Sequence, residues 1–386
     1  MRLERFTVRS GKTRLYFGIG SISSLRDWLK NFSRVALITG RKSAKISGAL
    51  DDALSIIKEL RLRYEVFSEV FPNPTASMIN ELATKVWRFG ADAVLAIGGG
   101  SVIDSAKFVS MLVKCGGRVE EYMKKLREPC GTLPLAAVNL THGTGTEVDR
   151  YAVATIEETH EKMGYASEFF YPEISIDDPN YLKTLPKNQT IYTAIDALYH
   201  ALESATSNSA SPYTELLAKE AVRLIAKWLP VAVKEPSNVE ARYWLLYASM
   251  IAGIGIDHGR THLAHAIEHA LSGLRPELSH GAGLAMIGPY VIKYTYEVKP
   301  EVLYEILRYI DPELKPRPES SERAAKALID FQRTIGFNER LRDYGFKEGD
   351  LSVITKLVFE SMSYLIELTP FKVDESIIKD IFLKSL

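Results

Sequence analysis

Cysteine is almost absent: two residues, Cys115 and Cys130, stand in a chain of 386. Two are too few for a disulfide framework, and their spacing matches no zinc motif. Both are therefore expected to be reduced thiols. Net charge is absent as well. Forty-eight Lys and Arg balance forty-eight Asp and Glu, so no overall field attracts nucleic acid or an anionic membrane. No apolar run approaches the ~20 residues of a membrane helix, and the first ten residues lack the apolar core of a signal peptide. The expected address is cytoplasmic, with no nucleic-acid partner and no membrane partner. Internal repeats and low-complexity segments are missing too, which leaves ordinary globular domains.

What is present fits that class. Apolar residues make up 46% and charged residues 25%, typical of a globular chain, and a chain of this length is expected to divide into two domains. In the first half, short apolar runs alternate with helical patterns. Strands are predicted at Val35–Thr39 ending at Gly40, at Tyr64–Phe67, at Ala93–Ile97, at Leu135–Val138 and at Glu173–Ile176. Helices are predicted over 45–60, 77–89 and 102–114. This alternation implies βαβ units and a mainly parallel sheet covered on both faces. After Asp178-Pro179 the pattern turns helical, with segments near 190–206, 213–230, 239–255, 260–273, 281–297, 321–335 and 348–367. The predicted fold is thus a Rossmann-like α/β domain over residues 1–178 and an all-helical domain over 179–386. Sites favour clefts between such domains.

Glycine and hydroxyl residues cluster where this sheet would end. Gly98-Gly99-Gly100-Ser101 follows an apolar strand and opens a helix containing Asp104 and Lys107. Bare backbone N–H groups at such a start favour an anion, and context after a strand points to a pyrophosphate. The turn is neither a Gly-x-Gly-x-x-Gly fingerprint nor a P-loop, and a tight strand-to-helix turn is the competing reading. A second loop, Thr141-His142-Gly143-Thr144-Gly145-Thr146-Glu147, follows the next strand, where its hydroxyls could reach a ribose or nicotinamide. An N-cap with Glu147 in the first turn is compatible with that reading. Gly40, Arg41, Lys42 and Ser43 end the first predicted strand. An acidic residue near such a position would hold an adenosine 2′-hydroxyl. Glycine with two cations and a hydroxyl suits a 2′-phosphate instead, so NADP is favoured over NAD.

Histidine is the other concentration. Five of the eight lie between residues 258 and 280: His258, His262, His265, His269 and His280. Imidazole ligates metals and moves protons near neutral pH. Upstream, Asp196 and His200 are four apart, which puts carboxylate and imidazole on one helix face; His265 and His269 repeat the spacing. Three imidazoles and one carboxylate would form a nitrogen-rich site for a divalent transition metal, with room for a substrate oxygen. Singly, Asp196 reads as a surface acid and His200 as a core histidine. The combination is far more specific.

These motifs together resemble the iron-containing (group III) alcohol dehydrogenase family over nearly the whole chain. The resemblance rests on Thr13-Arg14-Leu15-Tyr16-Phe17-Gly18, Pro72-Asn73-Pro74-Thr75 and Gly98-Gly99-Gly100-Ser101-x-x-Asp104-x-x-Lys107. It continues through Gly143-Thr144-Gly145-Thr146-Glu147-Val148, Asp196-Ala197-Leu198-x-His200 and His265-x-x-x-His269 to His280-Gly281. It implies metal ligands at Asp196, His200, His265 and His280. It puts His269 near the nicotinamide and substrate as a non-ligand. Gly98 to Ser101 match the pyrophosphate loop, Thr141, Thr144 and Lys162 match ribose or nicotinamide contacts, and Asn73 lies toward the adenosine. The implied cofactors are NADP or NAD with a divalent metal, Fe2+ first and Zn2+ as the alternative. A homodimer through N-terminal strands is implied as well.

The chain departs from the family in three places. Thr146 stands where serine is usual, Asp257-His258 replaces small amides, and His262 is an added imidazole one turn before His265. For the last two, His258 capping a helix and His262 facing solvent compete with a catalytic part. The implied activity is a metal- and NAD(P)-dependent alcohol dehydrogenase or aldehyde reductase acting on a small alcohol or aldehyde. Hydride would pass between the carbinol carbon and the nicotinamide, with His269 relaying a proton or positioning the ring. Glycerol- or polyol-type dehydrogenases, a dehydroquinate synthase-like lyase, a non-haem iron oxygenase and a non-enzymatic nucleotide module compete with it.

Overall fold

Wholly apolar runs of five or six residues, bounded by glycine or asparagine, form the centre of the first half. The computed structural model describes residues 3–386, and Met1 and Arg2 of the leading ten lie outside the described residues. Its strands are β1 (Phe6–Ser10), β2 (Thr13–Phe17), β3 (Arg34–Gly40), β4 (Arg63–Val70), β5 (Ala93–Gly98), β6 (Leu135–Asn139), β7 (Tyr151–Ile156), β8 (Glu161–Ala166) and β9 (Ile174–Asp177). Seven of them form a sheet in the order β1-β2-β9-β6-β5-β3-β4, while β7 and β8 pair separately. β1 and β2 run antiparallel, and the other neighbours in the large sheet are parallel. Every residue of β5 and β6 is buried, as a sheet covered on both faces requires.

Strand order carries the functional consequence. β3 has β4 on one side and β5 on the other, so the sheet reverses its winding between β3 and β5. Ligands of such sheets sit outside the carboxyl ends of the strands at that reversal. Those ends are Gly40 and Gly98. Behind them, Ile38, Val94, Ile103, Phe108 and Met111 belong to one buried cluster.

The chain forms two compact units. The α/β unit comprises Met1–Thr159, Met163–Pro186 and Pro236–Leu246; the helical unit comprises His160–Lys162, Lys187–Glu235 and Tyr247–Leu386. Long helices dominate the second, among them Lys187–Thr206, Pro212–Lys234, Leu263–Leu274 and His280–Val298. The last crosses the first at Gly281, where a Cβ would collide with the backbone carbonyl of Tyr192. That crossing brings His280 beside Asp196.

Several elements were not expected. Neither the β1–β2 hairpin nor β7–β8 follows from apolar runs, because alternate residues of β1 are exposed and β8 is mostly half-buried. Helices Pro300–Leu307 and Glu375–Ser385 are additional, and the helix predicted over 348–367 is divided into Leu351–Ser361 and Ser363–Ile366 at Met362. The expectation of two reduced thiols is corrected: Cys115 and Cys130 are joined in a disulfide with Cα atoms 5.7 Å apart. The helix Gly100–Cys115 ends at Gly116, whose positive φ of 69° turns the chain, and the excursion that follows returns Cys130 to Cys115. No helix among the described residues is long and apolar enough to cross a membrane.

Candidate active site

Helical spacing assembles the first half of the site. Asp196, His200 and Glu203 share one face of the helix Lys187–Thr206 and all three are buried. His265, Glu268, His269 and Ser272 share a buried face of Leu263–Leu274, and His280 opens the helix His280–Val298.

The imidazoles converge on one oxygen. Asp196 Oδ1 lies 3.3 Å from His200 Nε2, 3.5 Å from His280 Nε2 and 3.8 Å from His265 Nε2. Ligand atoms about 2.1 Å from a shared ion and tetrahedrally disposed would be roughly 3.4 Å apart. Asp196 Oδ1 and His265 Nε2 are also buried without a hydrogen-bond partner, a state that costs stability unless something binds both. One ligand atom from each of the four residues falls within 4.8 Å of every other. These residues fit a divalent cation.

Two carboxylates hold the ring orientations. Glu203 Oε2 accepts from His265 Nδ1, and Glu268 Oε2 accepts from His280 Nδ1. Each bond fixes the proton on Nδ1 and leaves Nε2 for the cation. Glu203 Oε1 also accepts the Ala264 N–H at 2.7 Å, which caps the helix carrying His265. Burial opposes the charge on Asp196, but His200, His280 and His265 outweigh it and hold the carboxyl at about 2. Burial likewise opposes the charge on His265, whose carboxylate neighbours Glu203 and Asp196 push it up to about 9. His269 and His280 fall well below the usual range through burial, then through Lys162.

The remaining histidines separate clearly. His269 is buried and its Nδ1 has no hydrogen-bond partner; its ring centroid is 5.4 Å from that of His280. His258 is exposed in the last turn of the helix Val239–Gly259, its Nδ1 donating 2.9 Å to the carbonyl of Ile254 and its ring against Tyr213. The expectation that His262 faces solvent is corrected: its accessible surface is 0%. It sits between the end of the helix Val239–Gly259 and the start of Leu263–Leu274, where its ring meets Thr206 and Glu203.

On the α/β unit, the glycine turn is set by close packing. A Cβ on Gly99 would come within 2.6 Å of Thr141 Cγ2, and one on Gly100 would collide with Thr144. The Gly turn and the Thr loop therefore interlock, and Gly99 leaves the start of helix Gly100–Cys115 without a side-chain cap. Asn139, at the end of β6, accepts the Thr141 N–H at 3.0 Å and donates to Asp177 at 3.2 Å. Asp104 is turned to the loop: it accepts from Thr146 Oγ1 at 2.7 Å and from the Val153 N–H at 3.0 Å. Buried Lys107 donates to the same Thr146 hydroxyl and to Asp149. Arg41, Lys42 and Ser43 are exposed beyond Gly40. Asn73 is buried in a left-handed conformation at φ 54°. Lys162 falls in the helical unit, where its Nζ donates to Ser272 Oγ at 2.8 Å and lies 3.5 Å from Glu268.

Glu203 and Glu268 were missed as candidates. The signal was available, since each lies three residues beyond a histidine on the same helix face.

A nucleotide-type parallel sheet with a glycine turn, followed by helices bearing a His/Asp cluster, defines the class. The family model described as iron-containing alcohol dehydrogenase matches residues 12–179, and that of the family's C-terminal domain matches residues 190–386. The chain is 44% identical over 382 residues to the long-chain primary alcohol dehydrogenase AdhA of Thermoanaerobacter ethanolicus, covering 97% of this chain and 96% of that protein. It is 31% identical over 355 residues to NADH-dependent butanol dehydrogenase A of Clostridium acetobutylicum, covering 89% and 90%. The solved structure of the alcohol dehydrogenase ADH/D1, from an archaeal halo-thermophilic source in a Red Sea brine pool, superposes with a TM-score of 0.92 at 29% identity over 100% of both chains. The chain belongs to the iron-containing alcohol dehydrogenase family, and is an oxidoreductase of that kind.

Proposed function

We propose that the protein interconverts a primary alcohol and its aldehyde with NADP(H), using a divalent cation, Fe2+ first, held by Asp196, His200, His265 and His280. The observation that carries this is the meeting of three imidazole Nε2 atoms around one buried carboxylate oxygen. A cation bound there supplies Lewis-acid polarisation of the substrate oxygen. Gly98, Gly99, Gly100 and Ser101 hold the pyrophosphate at the uncapped helix start, and Thr141 and Thr144 set the ribose beside it. Gly40, Arg41 and Lys42 receive the adenosine 2′-phosphate, with Asn73 on the same side of the nucleotide. Lys162 supports the nicotinamide side. His269, with a buried and unpartnered Nδ1, holds or passes the proton that leaves the alcohol. A nicotinamide held by these residues would supply hydride exchange with the carbinol carbon, and His269 would pass the accompanying proton to solvent.

Identity of 44% to a long-chain primary alcohol dehydrogenase supports the substrate class. The basic residues after Gly40 support NADP, against the NADH named for the butanol relative. We assign the enzyme as a homodimer, joined where β1 leaves the edge of the sheet open.

A panel of primary alcohols, secondary alcohols, polyols and aldehydes, run with both nicotinamide cofactors on metal-stripped and Fe2+-reconstituted protein, tests these assignments. The expected result is aldehyde-dependent NADPH oxidation that is lost on stripping and restored by Fe2+. NAD(H) turnover equal to that with NADP(H) overturns the cofactor assignment. Activity that survives complete stripping overturns the cation.

A further inference from the structure

We infer that His262 is a positioning residue of the cation centre, a latch joining the two helices that carry Asp196, His200 and His265. The inference rests on the reading of those residues as ligands.

The latch is defined by its bonds. Thr206 Oγ1 donates to the Leu202 carbonyl at 2.7 Å, so its lone pair is left to accept from His262 Nε2 at 3.0 Å. With its proton on Nε2, the ring offers Nδ1 to the Leu263 N–H at 2.8 Å. The same Nδ1 lies 3.1 Å from Glu203 Oε1. His262 thus touches the last turn of Lys187–Thr206 on one side and the first N–H of Leu263–Leu274 on the other. Glu203 takes the next N–H, that of Ala264, together with His265 Nδ1. Glu203 therefore caps the second helix from the first, while His262 caps its own helix and reaches back to Thr206 on the first.

The geometry has a direct effect on the site. Asp196 and His200 ride on the first helix and His265 on the second, so their separation is set where the helices are joined. A leucine at 262 would fill the space, but it would leave Thr206 without its donor and the Leu263 N–H without its cap. A buried imidazole at that point, bonded at both nitrogens, acts as a register device for the ligand set.

Cobalt(II) is the probe, since its visible absorption reports ligand geometry. Affinity is measured by competition with a chelator on the full-length protein, and melting is measured on the metal-free form. His262→Asn keeps an acceptor for the Leu263 N–H but cannot reach Thr206. Thr206→Val keeps the volume and removes the acceptor. Each variant is expected to weaken Co2+ binding about tenfold and to shift its visible bands, the loss usual when a supporting contact is removed. The double variant is expected to be no weaker than the worse single one. Unchanged Co2+ affinity and spectrum in Thr206→Val overturn the inference, whatever the metal-free melting point does; that variant also decides if His262→Asn does not fold. A His265→Ala variant that binds Co2+ as tightly as the parent overturns the ligand reading itself, a separate failure.

Discussion

Glu203 and His265 are joined across sixty-two residues of sequence: the carboxylate accepts from the imidazole Nδ1 with one oxygen and caps the imidazole's own helix with the other. One side chain thus fixes both the ring and the backbone beneath it. Burial opposes the charge on Glu203, yet the His265 charge and the bonds from His265 Nδ1 and the Ala264 N–H outweigh it and hold the carboxyl at about 2, so it is anionic throughout the working range. Glu203→Gln keeps an acceptor for the Ala264 N–H but lowers the basicity of His265. Cation affinity should fall by roughly 10- to 100-fold, the usual loss when a ligand's hydrogen-bonded carboxylate is removed. Metal content after dialysis against a graded chelator series measures it, and full retention would separate Glu203 from the cation site.

The crossing at Gly281 makes a second prediction. A methyl group there meets the backbone carbonyl of Tyr192, which cannot rotate away, whereas one at Gly349 meets nothing within 4 Å. Gly281→Ala should lose about 1–3 kcal/mol of stability, or more where the helices cannot shift. It should also loosen cation binding, because His280 is the adjacent residue. Gly349→Ala should melt with the parent. Denaturant unfolding of both, with and without Co2+, gives the comparison, and equal midpoints would contradict the close crossing.

These sites show what sequence carries and what it does not. The buried parallel strands were legible because every residue in β5 and β6 is apolar or small, save the closing Asn139. β1 was legible only as alternation, Phe6 and Val8 inward with Thr7 and Arg9 exposed, a signal that a search for apolar runs passes over. Asp196 with His200, and His265 with His269, announce themselves by a four-residue spacing. Their convergence with His280 depends on a helix crossing that no local pattern encodes. His262 could be seen but not placed: inside the helix predicted over 260–273 it reads as a solvated surface group, whereas the helix in fact begins at Leu263 and makes it a buried cap. The Cys115–Cys130 bridge was missed because composition argues about compartments, whereas pairing depends on where the excursion after Gly116 returns.

That bridge is itself testable. It closes a segment with a sequence separation of 15, and the loop-entropy account gives about 3 kcal/mol for a loop of that size. Reduction should lower the melting temperature of the α/β unit by roughly 6–12 °C at the usual conversion for a domain of its size. Cys115→Ser should melt like the reduced parent and be indifferent to reductant. Alkylation of the unfolded protein without reductant should label neither cysteine. Two labelled thiols would show that the bridge does not form.

Stability should also depend on pH through Glu147, whose two carboxylate oxygens are buried without a hydrogen-bond partner. Burial raises its carboxyl to about 7, with nearby Asp149 adding to the rise and Lys107 opposing it. The ordinary unfolded value is about 4.3, so below that pH both states are protonated and the group is neutral to stability's pH slope. Between there and about 7 the unfolded state releases its proton first, so stability falls as pH rises. Glu147→Gln cannot ionise and should remove this loss. It should match the parent near pH 4 and exceed it near pH 8 by about 1–3 kcal/mol, since each tenfold change in proton affinity is worth roughly 1.4 kcal/mol. Asp177, raised by burial and by Glu147, should then titrate lower in the variant, which adds to the gain. Urea midpoints at the two pH values measure the difference, and a variant weaker than the parent at pH 8 would mean that Glu147 is ionised and paired in the folded protein.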